Sequence, residues 1–385
     1  MNTSSLGDIC SFVSGGTPTK TRLDFWDGSI PWISGADISE RGHVTPRNHI
    51  SAPGLDGSAA NKVLAGTLLL VTRTSIGKAA VAPFELTFSQ DITALFHDAQ
   101  VVDRDYLRAF LSLYAPALKA ASRGATIQGV NRKDIEEIQV PLPSLEEQRR
   151  IAGILDEADE LRAKRRKSLE LLDELRDSVT SAFLEQQVSD SVLLTINDIA
   201  SHVTKGTTPT SIGYAYTDAG VPFLRVQDLI ENALENSDSV LYISVENHEA
   251  MSRSKIFPGD VLLSIAGTIG RTSVVPPNSG EMNCNQAVAI IRPNERILPA
   301  YLMSWLDSPE AKRQIGLESV TATIANLSLG VISKLKIPVP SLETQRRLVR
   351  KLEDLDGVKD QAFLSLKAID ELFASLQDRA FKGEL

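Results

Sequence analysis

Cysteine is scarce. Cys10 and Cys284 are the two in 385 residues, one in each half, and they form no metal-ligand cluster. Buried, reduced thiols are the expected reading. Long apolar runs are missing too. Nothing approaches the ~18 consecutive apolar residues of a membrane-spanning helix. The opening MNTSSLGDICSFVSGG has no basic segment ahead of an apolar one, so no secretory signal is expected and a cytoplasmic protein is. Catalytic signatures are absent as well. No glycine-rich GxGxxG opens a helix and no Walker A lysine is present; Ile76-Gly77-Lys78 lacks the earlier glycine. There is no HExxH, no GxSxG and no Cys/His metal spacing. The five histidines, His43, His49, His97, His202 and His248, are scattered. Positive charge is short: the net charge is −9, and residues 1–143, 144–187, 188–340 and 341–385 are each net acidic. That argues mildly against nucleic acid. If DNA is the ligand, partner subunits are expected to neutralise much of the phosphate.

What is present is a repeat. Pro143–Gln187, PSLEEQRRIAGILDEADELRAKRRKSLELLDELRDSVTSAFLEQQ, reads as one long helix. Ser144 is a suitable N-cap, and Glu147 sits three residues on, as a capping box requires. At ~1.5 Å per residue such a helix reaches about 66 Å, longer than a small domain is wide. Apolar positions step by three and four through Ile151, Ile154, Ala158 and Leu161, then Leu172, Leu175, Val179 and Ala182, with Leu155, Leu169 and Phe183 widening the stripe. That heptad seam needs another helix to cover it. Pro340–Leu385 supplies one, opening PSLETQRR 197 positions later. Its stripe is Leu348, Leu352, Leu355, Val358, Ala362, Leu366, Ile369, Leu372 and Leu376; Arg165 interrupts the first stripe where the second has Ala362.

The rest of the chain repeats as well. Gly15-Gly16-Thr17-Pro18-Thr19 returns as Gly206-Thr207-Thr208-Pro209-Thr210, and Ile30-Pro31-Trp32-Ile33 as Val221-Pro222-Phe223-Leu224. The block 65–72 returns at 258–265, Ile76-Gly77-Lys78 as Ile269-Gly270-Arg271, and Ala125-Thr126-Ile127 as Ala322-Thr323-Ile324. The offset drifts from 191 to 197, as small loop insertions would make it do. The pattern predicts an α+β chain: two tandem β-rich domains, each followed by a long helix. The two helices are expected to cover each other's seam within the chain, as an intramolecular coiled coil. The expected domains are 1–143, the central helix 144–187, 188–340, and the C-terminal helix 341–385. Strands are predicted at Gly66–Val71, Ile92–Phe96, Val261–Ile265 and Ala287–Ile291. One amphipathic helix per domain is predicted near Asp103–Ser122 and Pro299–Gly316. Trp32 and Phe223 align and are read as core, and Gly77 and Gly270 as tight-turn glycines.

These motifs together, GGTPT, IPWISGADI, the GTLLLV…IGK block and above all PSLE(E/T)QRR, resemble the specificity (S) subunit of type I restriction–modification systems, over the whole chain. The resemblance implies that each β-rich domain is a target recognition domain reading one half of a bipartite double-stranded DNA site. It implies that the paired helices, packed as an intramolecular antiparallel coiled coil with pseudo-twofold symmetry, set the spacing and dock two methyltransferase (M) subunits, with two restriction/translocation (R) subunits in the full complex. The chain itself is then no enzyme, and S-adenosylmethionine, ATP and Mg are expected only on partner subunits. Candidate base contacts are polar residues flanking the strands. In the first domain they are Thr17, Lys20, Ser34, Arg73, Thr74, Ser75, Lys78, Gln90 and Asn131. In the second they are Lys205, Thr208, Arg225, Gln227, Ser264, Thr268, Arg271, Asn285 and Gln286. The bland reading of each is a solvated loop residue or a turn hydrogen bond. The helix entrances, with Gln148, Arg149, Arg150, Gln345, Arg346 and Arg347, are the expected partner contacts. The competing readings are a fused methyltransferase or nuclease, which lacks its motifs, and a non-catalytic two-lobed scaffold binding protein or glycan.

Overall fold

The computed structural model describes every residue except 1, 123–128, 189–190, 231–232, 235–239 and 317–325. The repeated triplets 125–127 and 322–324 lie outside the described residues. The chain divides into two compact units: Met1–Arg166 with Leu364–Leu385, and Lys167–Phe363. The units are built alike. Each joins one β-rich domain to a stretch of both long helices.

In the first unit an antiparallel sheet runs in the order Cys10–Ser14, Ile92–His97, Leu68–Val71, Ala79–Val81. A second sheet runs Asn48–Ile50, Ile30–Ile33, Leu86–Phe88, Asn61–Val63, its central pair parallel. All four residues of Leu68–Val71 are buried, because both faces of this strand are covered. Leu68 and Leu70 face a core shared with the helix Arg104–Ala121, while Leu69 and Val71 face the second sheet. That is the two-residue alternation of a strand. The second unit repeats both sheets: Ala200–Lys205, Val288–Pro293, Val261–Ser264, Thr272–Val274, and Leu241–Ile243, Val221–Leu224, Met282–Cys284, Lys255–Ile256. Trp32 and Phe223 are core residues, 7% and 0% exposed. Both cysteines are buried and free; burial pushes the Cys10 thiol up to about 12 and raises that of Cys284 as well. Among the described residues no helix is long and apolar enough to cross a membrane.

The predicted helix near Pro299–Gly316 is two helices, Pro299–Leu306 and Pro309–Ile315. Pro309 lacks the N–H that would continue the first, and Ser308 caps the second by accepting from Ala311 N. The matching helix Arg104–Ala121 stays continuous through Pro116.

The long helices are Leu145–Val188 and Leu342–Lys382. At the first entrance half of the expected capping box forms. Ser144 accepts from Glu147 N at 3.3 Å, but the Glu147 carboxylate turns forward to grip Arg150 at 2.7 and 2.8 Å. In the first unit Ile151 and Leu155 pack in one core with Phe373, Leu376 and Ala380. In the second, Val179, Phe183 and Leu184 pack with Leu348, Leu352 and Leu355. Arg176 pairs with Asp356 and Asp173 with Lys359, so one number falls as the other rises and the segments run antiparallel.

The seam is not quite the expected stripe. Leu161 and Leu175 are 48% and 46% exposed, Val358 and Leu372 are 52% and 56% exposed, and Ala182 is exposed too. An unbroken three-four rhythm from Ile151 and Leu155 turns Arg162 and Arg176 inward instead. The Arg162 guanidinium lies 4.2 Å from the ring centroid of Phe373 and pairs with Asp370 at 2.6 Å. An arginine stem covers apolar surface while its head reaches a partner, so a charged residue fills a seam position that the apolar count assigned to leucine.

Candidate nucleic-acid interface

In each unit four chain segments meet at one corner. Gly15 N donates to Ile92 O and Gly16 N to Phe88 O; Thr72 N donates to Asp91 O, and Val130 N to Thr72 O. In the second unit Gly206 N donates to Val288 O, Thr207 N to Cys284 O, Ile265 N to Ala287 O, and Leu327 N to Ile265 O. Glycine is required where the segments cross. A Cβ on Gly15 would lie 2.3 Å from Phe88 O, and one on Gly206 2.2 Å from Cys284 O. This close approach is why the first glycine of GGTPT is kept in GTTPT.

The corner gathers most of the candidate contacts. The Thr17 hydroxyl donates to Gln90 Oε1, and Thr208 makes the same bond to Gln286 Oε1. Gln90 and Gln286 are exposed, and with Oε1 occupied each amide presents its N–H donors. Arg73 and Thr74 stand exposed on the adjoining turn, with Ser75 half-buried beside them. Arg73 bridges to Gly129, two residues before the exposed Asn131. Thr74 takes φ +62°, which favours glycine, and the matching residue of the second unit is Gly267 at φ +73°. Backbone strain of this kind gathers at functional sites. Gly77 and Gly270, at φ +91° and +94°, close the two turns. Lys20, Lys205, Gln227 and Thr268 are exposed. Asn285 is half-buried and accepts from Ala287 N.

Five candidates hold the frame instead. Ser264 is fully buried; its hydroxyl donates to Thr268 O and accepts from Arg271 N. Lys78 Nζ donates to Ile38 O at 2.9 Å, and Arg271 Nη1 to Leu229 O at 3.5 Å, the same bracing contact in each unit. Ser34 N and Oγ donate to Asp37, and Arg225 N and Nε to Asp228. Asp37 and Asp228 are buried carboxylates. Burial raises the Asp37 carboxyl, but Arg47 and Ser34 outweigh it and hold it below the usual range. The sequence shows these side chains as polar; the bonds that use them span up to 42 residues.

The helix entrances need a similar correction. Gln148 and Gln345, 1% and 0% exposed, are latches rather than partner contacts. Gln148 accepts from Asp103 N and donates to Val101 O and Pro143 O. Gln345 accepts from Leu298 N and donates to Arg296 O and Pro340 O. Each ties its long helix to the turn before the helix of its own domain. Arg149, Arg150, Arg346 and Arg347 remain exposed at the surface. His248, Glu249 and Glu281 are placed closely enough to hold a metal ion, but the Lys255 ammonium lies 2.6 Å from Glu249 and 3.6 Å from Glu281 and takes a cation's place.

The fold and the corners define a duplicated protein of two alike β-rich units joined by long helices. Residues 1–171 and 189–362 match the type I restriction modification DNA specificity domain, so the chain belongs to that family. It is 26% identical over 303 residues to the type I restriction enzyme EcoBI specificity subunit of Escherichia coli, covering 71% of this chain and 64% of that one. It is 29% identical over 163 residues to the EcoR124I/EcoR124II specificity subunit of Escherichia coli, covering 41% of this chain and 40% of that one. The chain thus spans less than two thirds of the length of these two curated relatives. The crystal structure of a type I restriction–modification S subunit from M. genitalium shares the fold, with a TM-score of 0.57 at 16% identity, over 99% of this chain and 96% of that one.

Proposed function

We propose that this chain is the DNA-reading subunit of a type I restriction–modification complex. Each unit reads one half of a bipartite duplex target through the corner of Thr17, Arg73 and Gln90 or of Thr208, Thr268 and Gln286. The observation that carries this is the recurrence of one hydrogen-bonded Thr–Gln pair on two domains whose neighbouring residues differ. What is common suits what both half-sites share, the sugar–phosphate backbone; what differs, Arg73-Thr74-Ser75 against Ala266-Gly267-Thr268, suits base identity. The helix pair spaces the readers, and Arg149, Arg150, Arg346 and Arg347 face two methyltransferase subunits. Two restriction subunits complete the assembly in the cytoplasm. S-adenosylmethionine, ATP and Mg belong to those partners, and this chain turns nothing over. A protein- or glycan-binding scaffold draws no support from the family match.

Genome-wide methylation mapping of the assembled complex tests the division. Arg73→Ala should relax base identity in one half-site, at about 1–3 kcal/mol for a bidentate contact. Gln90→Ala should weaken binding to all sequences alike and shallow its salt dependence. If Gln90→Ala changes base identity while Arg73→Ala leaves it intact, the assignment is reversed. If random duplex is not retained on filters by the complex, the DNA reading fails altogether.

A further inference from the structure

The second unit holds a cavity of about 810 Å³ between the end of the central helix and the β-rich domain. Leu184, Trp305, Pro309 and Pro338 are among its apolar walls, and Arg313, Lys334 and Lys336 stand among its polar ones. The first unit keeps a smaller cavity at the matching place, about 480 Å³, lined by Tyr114, Asp134, Glu137 and Ile138 where the second has Pro309, Val331, Lys334 and Leu335. Tyr106 Oη donates to Pro141 O and Tyr301 Oη to Pro338 O, both at 2.8 Å, which fixes the correspondence of the two domain helices. Four residues further on, Phe110 matches Trp305, and four beyond that Tyr114 matches Pro309. Phe110 packs against Tyr114 at 5.8 Å and against Phe381 at 5.3 Å between ring centroids; Tyr106 meets Phe381 at 5.2 Å. Phe381 lies on the C-terminal helix, and its counterpart on the central helix is Leu184.

Two rings of the first unit, Tyr114 and Phe381, are therefore a proline and a leucine in the second. Both replacements line the cavity, whose volume falls in the range of small-molecule sites. Its wall also carries an unpaired donor, since the Trp305 indole N–H is buried without a hydrogen-bond partner. Charge at the rim is uneven. Arg313 is held by Glu310, whereas Lys334 and Lys336 make no ion pair among the described residues, with Glu185 as the remaining acid.

We propose that this cavity binds a small planar aromatic anion. The ring takes the place that Phe381 fills in the first unit, and the acid group meets Lys334 and Lys336. The apolar walls supply affinity through the ring area removed from water. The lysines distinguish an acid from its neutral analogue. Bound there, the ligand would brace the end of the central helix against the domain beside it, as Phe381 braces the C-terminal helix.

The test uses the full chain with 2-naphthoate as probe, followed by ligand-observed NMR, with 2-naphthamide as the neutral control. Naphthoate should bind more tightly than the amide. Leu184→Phe should abolish binding and raise the melting temperature of the second unit, because it restores the missing ring. Lys334→Ala with Lys336→Ala should weaken the acid by about tenfold or more and leave the amide unchanged; this pair lies on the rim and keeps the test open should Leu184→Phe not fold. The proposal is overturned if naphthoate does not bind at millimolar concentration, or if folded Leu184→Phe binds it as the parent does. Equal affinity for acid and amide overturns the anionic assignment. Protection of the cavity only on assembly with a methyltransferase partner would give it to a protein side chain and likewise overturn the proposal.

Discussion

The two units are one design executed twice with different fillings. The frame is the same down to single hydrogen bonds: Gln148 and Gln345 latch the long helices, Tyr106 and Tyr301 reach the same proline carbonyl, and Lys78 and Arg271 brace the same turn. The copies differ along the domain helix and on the turn beside the Thr–Gln corner. Along the helix, Phe110, Ser112 and Tyr114 of the first unit stand where the second has Trp305, Asp307 and Pro309. Selection for a common scaffold fixes buried polar groups, since each left unpaired costs about 1–3 kcal/mol. Where the packing is apolar, or a side chain meets solvent, that penalty is absent and the copies drift apart.

The largest effect should come from breaking the helix packing in one unit at a time. Leu155→Asp in the first and Leu352→Asp in the second place a charge where the side chains are 2% and 3% exposed. Each should cost about 4 kcal/mol or more. Calorimetry should show each substitution lowering the transition of its own unit first. A single unchanged transition for either variant would refute the packing described.

The latches come next. Gln148→Ala and Gln345→Ala each remove three hydrogen bonds and strand buried backbone groups, for about 2–3 kcal/mol. The two losses should be equal within error, because the bonds are the same. A strong asymmetry between them in denaturant titration would break the claim of a common frame.

A smaller effect should separate the units by pH. Asp307 accepts from Thr272 at 2.6 Å, while its Oδ2 is shut off from solvent without a partner. Burial pushes its carboxyl up to about 6, against the hydrogen bond from Thr272 and the attraction of Arg176 and Lys312, with Asp177 adding repulsion. A raised folded value means that the contribution is fully present below the ordinary 3.8 and is lost as pH rises to about 6. Asp307→Asn should therefore stabilise the second unit at neutral pH by about 1–3 kcal/mol and flatten its dependence between those values. The first unit carries Ser112 there, donating to Arg108 O, and should show no such slope from this position. If Asp307→Asn melts like the parent at neutral pH, the carboxylate is better solvated than its surroundings indicate.

Much of the architecture was legible in the sequence because duplication is visible without coordinates. The repeated PSLE(E/T)QRR entrance, the strands around Leu68–Val71 and Val261–Ser264, and the core role of Trp32 and Phe223 followed from pattern and alignment. Apolar periodicity reports burial, and burial is what strands and helices are selected for. The seam was legible only in part. Counting leucines put Leu161 and Leu175 inside, whereas the continuous rhythm buries the stems of Arg162 and Arg176. Periodicity counts side chains by type and does not register that an arginine is apolar for most of its length. The candidate site was legible as a set of residue types and not as roles. Gln90 and Lys78 look alike in sequence, as exposed polar residues near a strand end. One forms a surface pair with Thr17; the other is spent on the carbonyl of Ile38.

The sequence by itself determined the duplication, the class of each half, the two long helices and the absence of catalytic motifs. These depend on local spacing and on comparison of the chain with itself. Only the tertiary structure decided which polar side chains are frame and which are surface, why Gly15 and Gly206 must lack a side chain, and where the second unit keeps a larger cavity than the first. Those outcomes rest on contacts between residues far apart in the chain, such as Thr17 with Gln90 or Phe110 with Phe381. Hydrogen-bond partners and ring packing are properties of a pair, and a linear sequence names each member without saying whom it meets.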